Sequence, residues 1–243
     1  MMNKSNIIHA ISALVLAILA TLLIEHSSLD LTISNWFYVG AGHWLIDKTA
    51  VLSDLIFYTL PKRLLLLVVI YLVLAWAWRY WQNKQPACAQ KYIPLFKSLN
   101  QLSTREIGYL CMAMIAVPSL VATLKAITHV PCPVSLRDFG GQLAYLSLQQ
   151  DITQHLSVQC FPAAHASAGF ALYALAFIPS LVRASSARFM VISLIVTLTG
   201  WIMGGYKMAI GDHFFSHTLV SMLLAWAVAS GVAWVMFNNK NTP

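Results

Sequence analysis

Six stretches of the chain are almost purely apolar, and the polar and charged residues gather between them. Apolar windows of about 20 residues are long enough for a helix to cross a bilayer core. Lipid offers the backbone no hydrogen-bond partners, so only helices and closed barrels cross a bilayer. These runs are too long and too uniformly apolar for barrel strands. The pattern therefore predicts an all-α, polytopic membrane protein, a bundle of six transmembrane helices. The predicted spans run from about Ser5 to Ile24, from after Arg63 to near Trp78, from about Ile107 to Leu124, from after Pro162 to before Arg183, from about Phe189 to Tyr206, and from near Phe214 to near Phe237.

Composition supports one membrane domain over residues 1–243. The chain is 59% apolar and 9% charged, whereas a soluble domain carries about 25% charged residues. The deficit extends along the whole chain, and no linker, repeat or low-complexity tract interrupts it. The first span, with Lys4 before it, resembles a signal peptide, but it is long and lacks a small-x-small cleavage site, which favours an uncleaved helix.

The net charge of +7 reflects topology and does not indicate a nucleic-acid partner. With six spans and the N-terminus inside, nine Lys and Arg residues fall on the inner side and six on the outer side, as the positive-inside rule expects. The inner loop from about Arg79 to Arg105 is long enough to touch anionic membrane lipids. Two outer segments are also long, from about Glu25 to Lys62 and from about Thr128 to Pro162.

These outer segments and the spans beside them suggest three local features. Aromatic residues in the first outer segment suit a short helix at the membrane interface. Cys132 and Cys160 share the second outer segment, and in an oxidising compartment they either form a disulfide or remain free thiols. The Gly204-Gly205 pair would let the fifth span approach a neighbouring helix closely.

Five ionisable residues fall at the outer ends of the last four spans. Such residues at membrane depth are costly unless paired, so each is a candidate functional residue. A single one could be a snorkelling side chain, but five at one membrane face point to a site. They are Lys125, His165, Lys207, His213 and His217.

The residue types in this group suit an anion. Pro162 favours a helix start, where the amides of Ala163, Ala164 and His165 would bind a phosphate. Lysines add positive charge, and a histidine beside a phosphate can serve as nucleophile or as acid and base.

The two C-terminal histidines of the group are four residues apart, so they share one helical face. That spacing also suits a metal, with Asp212 or His165 as third ligand, or a purely structural pair. The metalloprotease pattern is absent because Phe214 follows His213. We therefore predict no metal and no cofactor.

Three segments between residues 125 and 217 resemble the signature of the type 2 phosphatidic acid phosphatase superfamily, K-x6-R-P, P-S-G-H and S-R-x5-H-x3-D. Order, spacing and placement at helix ends agree, and Lys125, His165 and His213 are retained. The matching segments are KAITHVPCP from Lys125, PAAH from Pro162, and YKMAIGDHFFSH from Tyr206. The departures are Cys132 for the first arginine, Ala163 for serine, Ala164 for glycine, Tyr206 for the second serine, Lys207 for the second arginine and His217 for aspartate.

The resemblance implies a metal-independent phosphatase in which His213 attacks phosphorus, His165 supplies and takes the proton, and His217 orients His213. Phosphate would be held by Lys125, Lys207, and the backbone at Ala163 and Ala164. Lysine lacks the bidentate fork of arginine, so Arg137, five residues after Cys132, is a candidate to reach back to the phosphate. A bridge between Cys132 and Cys160 would hold the first motif loop near the phosphate.

The expected substrate is a lipid phosphate or diphosphate at the outer leaflet, and the expected location is a bacterial inner membrane with the site facing the periplasm. A phosphotransferase with an acceptor lipid would use the same residues. A binder that does not turn its lipid over is a further alternative, although it would need neither nucleophile nor acid. A transporter is disfavoured because no inverted repeat is visible.

Overall fold

The computed structural model describes residues 2–25, 27–85, 96, 99–155, 157–182 and 185–238. It is all-α apart from one small hairpin, and it is a polytopic membrane protein in which five helices are long and apolar enough to span a bilayer. The α-helices are α1 (Met2–Glu25), α2 (Leu29–Asn35), α3 (Val51–Asp54), α4 (Leu60–Gln82), α5 (Thr104–Thr128), α6 (Leu148–Gln154), α7 (Ala164–Phe170), α8 (Pro179–Val182), α9 (Ser186–Ala209) and α10 (Phe215–Asn238). The hairpin pairs β1 (Tyr38–Gly40) with β2 (His43–Trp44).

The long helices are those predicted from the first, second, third, fifth and sixth apolar stretches. The second span is longer than predicted, because α3 and a π-helical turn, Leu55–Thr59, join α4 in one stretch from Val51 to Gln82. Most large apolar side chains of α1 and α4 are exposed, Leu23 and Leu67 among them. Apolar exposure on this scale fits a lipid-facing surface rather than one in water.

The fourth predicted span differs from the prediction. Residues Ala164–Phe177 form a shorter apolar helix, α-helical to Phe170 and 3₁₀-helical from Ala171, and α8 follows after Ile178. Its residues Phe170, Tyr173 and Ala174 are buried among α5, α9 and α10. Protein thus surrounds this segment, and six spans are not shown.

The core forms where α5 packs between α4 and α10 and where α7 packs against α9 and α10. The Tyr109 hydroxyl donates to the Ala229 carbonyl at 2.9 Å. At its start, α5 carries a capping box in which Ser103 and Glu106 satisfy each other's backbone amides. The Tyr109 hydrogen bond fixes the height of α5 relative to α10, and so the relative height of the site residues that the two helices carry.

The segment between α1 and α3 contains the predicted short helix, α2, followed by the hairpin. The hairpin packs over the α9–α10 connection, where Trp44 lies so close to Gly211 that a Cβ there would come within 2.3 Å of its ring. The Ile46 amide donates to the Ala209 carbonyl at 3.2 Å. This packing brings the first outer segment against the motif residues.

Some predicted features fall outside the described residues. They are Cys88, a cysteine of the predicted inner loop, and four of the nine lysines and arginines assigned to the inner side, namely Lys91, Lys97, Arg183 and Lys240.

Candidate active site

A cavity of about 500 Å³ lies where α5 and α9 end and α7 and α10 begin. It collects four of the five ionisable residues predicted from the sequence: Lys125, His165, Lys207 and His213. The described residues that line it include four lysines and one aspartate, so the lining carries an excess of positive charge. Such a cavity favours an anionic ligand.

His213 and His217 form a buried pair at the back of this cavity. Their Nδ1 atoms are 3.4 Å apart, and 6% of His213 and 2% of His217 is exposed. His213 lines the cavity, whereas His217 lies behind it. Burial, and then the positive charge of Lys125, lowers the pKa of His213 to about 3. The imidazole of His213 is therefore neutral near pH 7.

His165, at the start of α7, is fixed by the π-helical turn before α4. Its Nε2 lies 2.9 Å from the carbonyl oxygen of Phe57. Because a carbonyl only accepts, Nε2 carries the hydrogen, and Nδ1 is left to take or give a proton. The ring of Tyr58 lies 4.7 Å from the His165 ring, centroid to centroid. π-Helical turns occur often at functional sites, and this one supplies two groups that hold His165.

Lys207 and Asp212 form an ion pair inside the cavity. The Lys207 Nζ donates to Asp212 Oδ2 at 2.9 Å, and the Lys48 Nζ donates to Oδ1 at 2.8 Å. Burial raises the pKa of Asp212, but the two lysines outweigh it, and the pKa lies below its usual value. Lys207 also lies 4.2 Å above the ring of Tyr58. Asp212 thus holds two of the cavity's cations in place.

Two predicted phosphate-binding residues are not placed as expected. The amide of Ala163 donates to the His217 carbonyl at 3.1 Å, so it is not free for an anion, whereas Ala164 lines the cavity. Arg137 is exposed, its Nε donates to the Gln142 carbonyl at 3.1 Å, and it does not line the cavity. The short 3₁₀ turn Arg137–Phe139 directs this arginine back along its own loop.

Cys132 and Cys160 form a disulfide in the structure, with their Cα atoms 5.3 Å apart. Both cysteines line the cavity. The bridge joins the loop after α5 to the segment that precedes α7. Nearby, the Cys160 amide donates to the Val130 carbonyl at 2.9 Å.

The sequence-based reasoning missed Lys48, Tyr58 and Lys62 as cavity residues. All three come from the first outer segment or the start of the second span, which resemble no part of the family signature. A signal was present nonetheless, because Lys48 and Lys62 are outer-side cations that the positive-inside rule disfavours. Within the described part of the chain, no three His, Cys, Asp or Glu side chains converge as a metal site would require.

One of three comparisons with known proteins found a match, and it covers the region that carries the motifs. The family model described as PAP2 superfamily matches residues 106–241, which is more than half of the 243 residues. Searches of curated proteins and of solved structures returned no match. The matched region holds α5, α7, α9 and α10, and with them most of the residues that build the cavity. The chain therefore belongs to the PAP2 superfamily.

Proposed function

We propose that the protein is an integral membrane phosphatase that hydrolyses a phosphate monoester or a diphosphate of an amphipathic lipid. Membership in the PAP2 superfamily indicates phosphatase activity on a phosphate ester. The observation that carries the proposal is the cavity in which His213 and His165 face four lysines at one end of the spanning helices. A lipid headgroup could enter at that end while its acyl chains remain in the bilayer.

In the proposed first step, His213 attacks phosphorus. If its Nδ1–H points to Nδ1 of His217, then Nε2 carries the lone pair that forms the P–N bond. The bond from phosphorus to the leaving oxygen breaks, and a phosphohistidine remains. A covalent route of this kind divides one difficult displacement into two easier ones.

His165 moves the protons of both steps. Nδ1 of a protonated His165 donates to the leaving oxygen, and the same nitrogen then accepts a proton from the water that cleaves the P–N bond. The Phe57 carbonyl holds the ring through Nε2 in both steps. The proton that is given in the first step is thus regained in the second, and inorganic phosphate is released.

The lysines stabilise the phosphoryl oxygens as charge moves from the leaving oxygen to the nucleophile. Lys125 and Lys207 come from the motif, and Lys48 and Lys62 extend the positive lining. The amide at Ala164 is a further candidate donor. No cofactor enters this scheme.

We further propose that Ala164–Phe177 and α8 together form a sixth crossing, and that the chain is one domain with its motif region at residues 125–217. The 14 residues Ala164–Phe177 extend about 25 Å, because a 3₁₀-helix rises more per residue than an α-helix. With the N-terminus inside, the third crossing, α5, ends on the outer face, and a sixth crossing lets α9 end on that same face. The cavity at these helix ends would then face the periplasm in a bacterial inner membrane.

The test is phosphate release from a panel of lipid phosphates by detergent-purified protein with EDTA present. Wild type should release phosphate, and His213→Ala should lose activity by at least about a thousandfold, because the nucleophile is gone. His43→Ala is a matched control, since His43 is exposed on the hairpin and lies outside the cavity. Acid-labile ³²P on the wild type but not on His213→Ala would identify the intermediate.

Two other outcomes would favour the alternative functions. Transfer of ³²P to an added lipid acceptor without phosphate release would indicate a phosphotransferase. Binding of lipid phosphate with neither release nor labelling would indicate a binder and would contradict the phosphatase proposal.

A further inference from the structure

A second, smaller chamber of about 40 Å³ lies behind the histidine pair. His217 lines this chamber, whereas His213 lines the lysine-rich cavity. The pair, with its Nδ1 atoms 3.4 Å apart, therefore connects the two spaces. Two carboxylates, those of Asp30 and Asp151, also line the chamber.

Both carboxylates are almost completely buried, with 3% of Asp30 and 1% of Asp151 exposed. Asp30 accepts hydrogen bonds from the amide and the hydroxyl of Ser216, at 2.9 and 2.5 Å, and Ser216 precedes His217. Burial raises the pKa of Asp30 to about 6 although these two hydrogen bonds oppose the rise. Asp30 is therefore mostly ionised at pH 7, and a nearby positive charge would stabilise its carboxylate form.

Asp212 is the carboxylate next to the histidines in the chain, but its negative charge does not act on them at full strength. One of its oxygens accepts from Lys207 and the other from Lys48. Two cations therefore compensate its charge. The carboxylates of the chamber, by contrast, lie on the His217 side of the histidine pair.

We propose that Asp30 and Asp151 are positioning residues that act through His217, with water in the chamber linking their carboxylates to its imidazole. They would supply at one remove the negative charge that the aspartate of the family motif supplies directly. A chamber of this volume has room for a water molecule, which needs two to four polar partners. The inference rests on the function proposed above.

The chain of groups accounts for the positive charge of the intermediate. When Nε2 of His213 bonds to phosphorus, its ring becomes cationic and still carries the Nδ1 proton. That proton moves to Nδ1 of His217, whose ring then carries the charge beside the carboxylates. It returns to His213 when water cleaves the P–N bond, so the cycle neither gains nor loses a proton.

A spectroscopic test needs no turnover. Protein labelled with ¹⁵N-histidine is compared as wild type, Asp30→Asn and Asp151→Asn, with the His217 signals assigned by their loss in His217→Leu. We expect both variants to shift the ring-nitrogen resonances of His217. Asp47→Asn, which alters an exposed carboxylate outside the chamber, should not. Unchanged His217 resonances in both variants would overturn the inference.

A kinetic test separates positioning from mere structure, using phosphatidic acid in detergent micelles. In the wild-type background, either variant should lower kcat about tenfold or more and change KM less than about twofold, since neither carboxylate contacts substrate. In the His217→Asp background, where a carboxylate reaches His213 directly, the same changes should lower kcat less than about threefold.

Equal losses in the two backgrounds would show a structural role and refute the inference. Asp30 also contacts the first turn of α10, so Asp151→Asn, which leaves that contact in place, keeps the test valid if Asp30→Asn folds poorly. If the two variants shift the His217 resonances but the wild type shows no turnover, the result counts against the proposed function and leaves this inference in place.

Discussion

His217 stands where the family motif has an aspartate, and the structure shows what the exchange alters. Its Nδ1 lies 3.4 Å from Nδ1 of His213, so a neutral His217 can accept a hydrogen bond and set the tautomer. It lends no negative charge of its own.

We expect His217→Asp to retain or raise phosphate release, because a carboxylate would both orient His213 and stabilise its cationic form. His217→Leu should lose activity, because the leucine cannot accept the Nδ1 proton. Initial rates on one lipid phosphate at equal folded concentration measure both effects. Equal rates for wild type and His217→Leu would show that His217 has no orienting role.

The low pKa of His213 predicts how it titrates. Because burial and Lys125 lower that pKa to about 3, His213 should stay neutral and nucleophilic down to pH 5, so kcat/KM should show no acid limb from His213 between pH 7 and 5. Lys125→Met should raise the pKa by removing a repulsive charge, while burial keeps it below its usual value. Lys62→Met is the control and should move it less. NMR titration of labelled His213 measures the pKa, and a midpoint near 6.5 in the wild type would contradict the prediction.

At the scale of elements, the packing of α9 against α10 depends on one glycine of an adjacent pair. A Cβ on Gly204 would lie 2.4 Å from Thr218 Cγ2, whereas a Cβ on Gly205 would meet nothing within 4 Å. Sequence alone could predict that the pair permits close approach, but it could not say which glycine faces the neighbour.

Gly204→Ala should lower the free energy of unfolding by about 1–3 kcal/mol, the usual cost of overpacking. Gly205→Ala is the matched control, and it should be neutral or stabilising by up to about 1 kcal/mol because alanine favours the helix. Thermal unfolding in one detergent compares the two. Similar losses in both variants would mean that helix packing at Gly204 is not the cause.

Sequence predicted the long helices because their hydrophobicity is a local property. Five of the six apolar stretches became long helices, and of these only the second begins well before its predicted start. The stretch after Pro162 differs because residues such as Ala171 and Ala174 are buried by neighbouring helices, and tertiary packing there accommodates a 3₁₀ conformation. That outcome depends on contacts that no local pattern contains.

At the scale of the whole molecule, the disulfide ties the first motif segment to the residues just before the second, across 28 residues. Closing a loop of this length lowers the entropy of the unfolded chain and so raises its free energy by about 3–4 kcal/mol. Reduction, or Cys132→Ser, should therefore lower the thermal midpoint and the activity together. Cys111→Ala is the control for thiol chemistry, since Cys111 is a buried free cysteine on α5. An unchanged midpoint after complete reduction would show that the bridge does not stabilise the fold.

The candidate site was only partly visible in the sequence. Lys125, His165, Lys207 and His213 could be predicted because polar residues at helix ends stand out against apolar spans. Tyr58 and Asp30 could not, because the π-helical turn and α2 bring them to residues more than 100 positions away. Lys48 gave only the weak signal of an outer-side cation. Arg137 was predicted from proximity in the chain, and its own loop turned it elsewhere.

The carboxylate of Asp212 has a thermodynamic consequence for any ligand. Since it already neutralises Lys48 and Lys207, a phosphate does not enter a cage of bare cations but exchanges with a resident counter-ion. The affinity of the site therefore depends on the difference between two free energies, that of the ligand with the lysines and that of Asp212 with the same lysines. A doubly charged phosphate displaces the carboxylate more readily than do the singly charged phosphodiesters that make up a bilayer surface. The ion pair thus makes the site selective against the lipids that surround it.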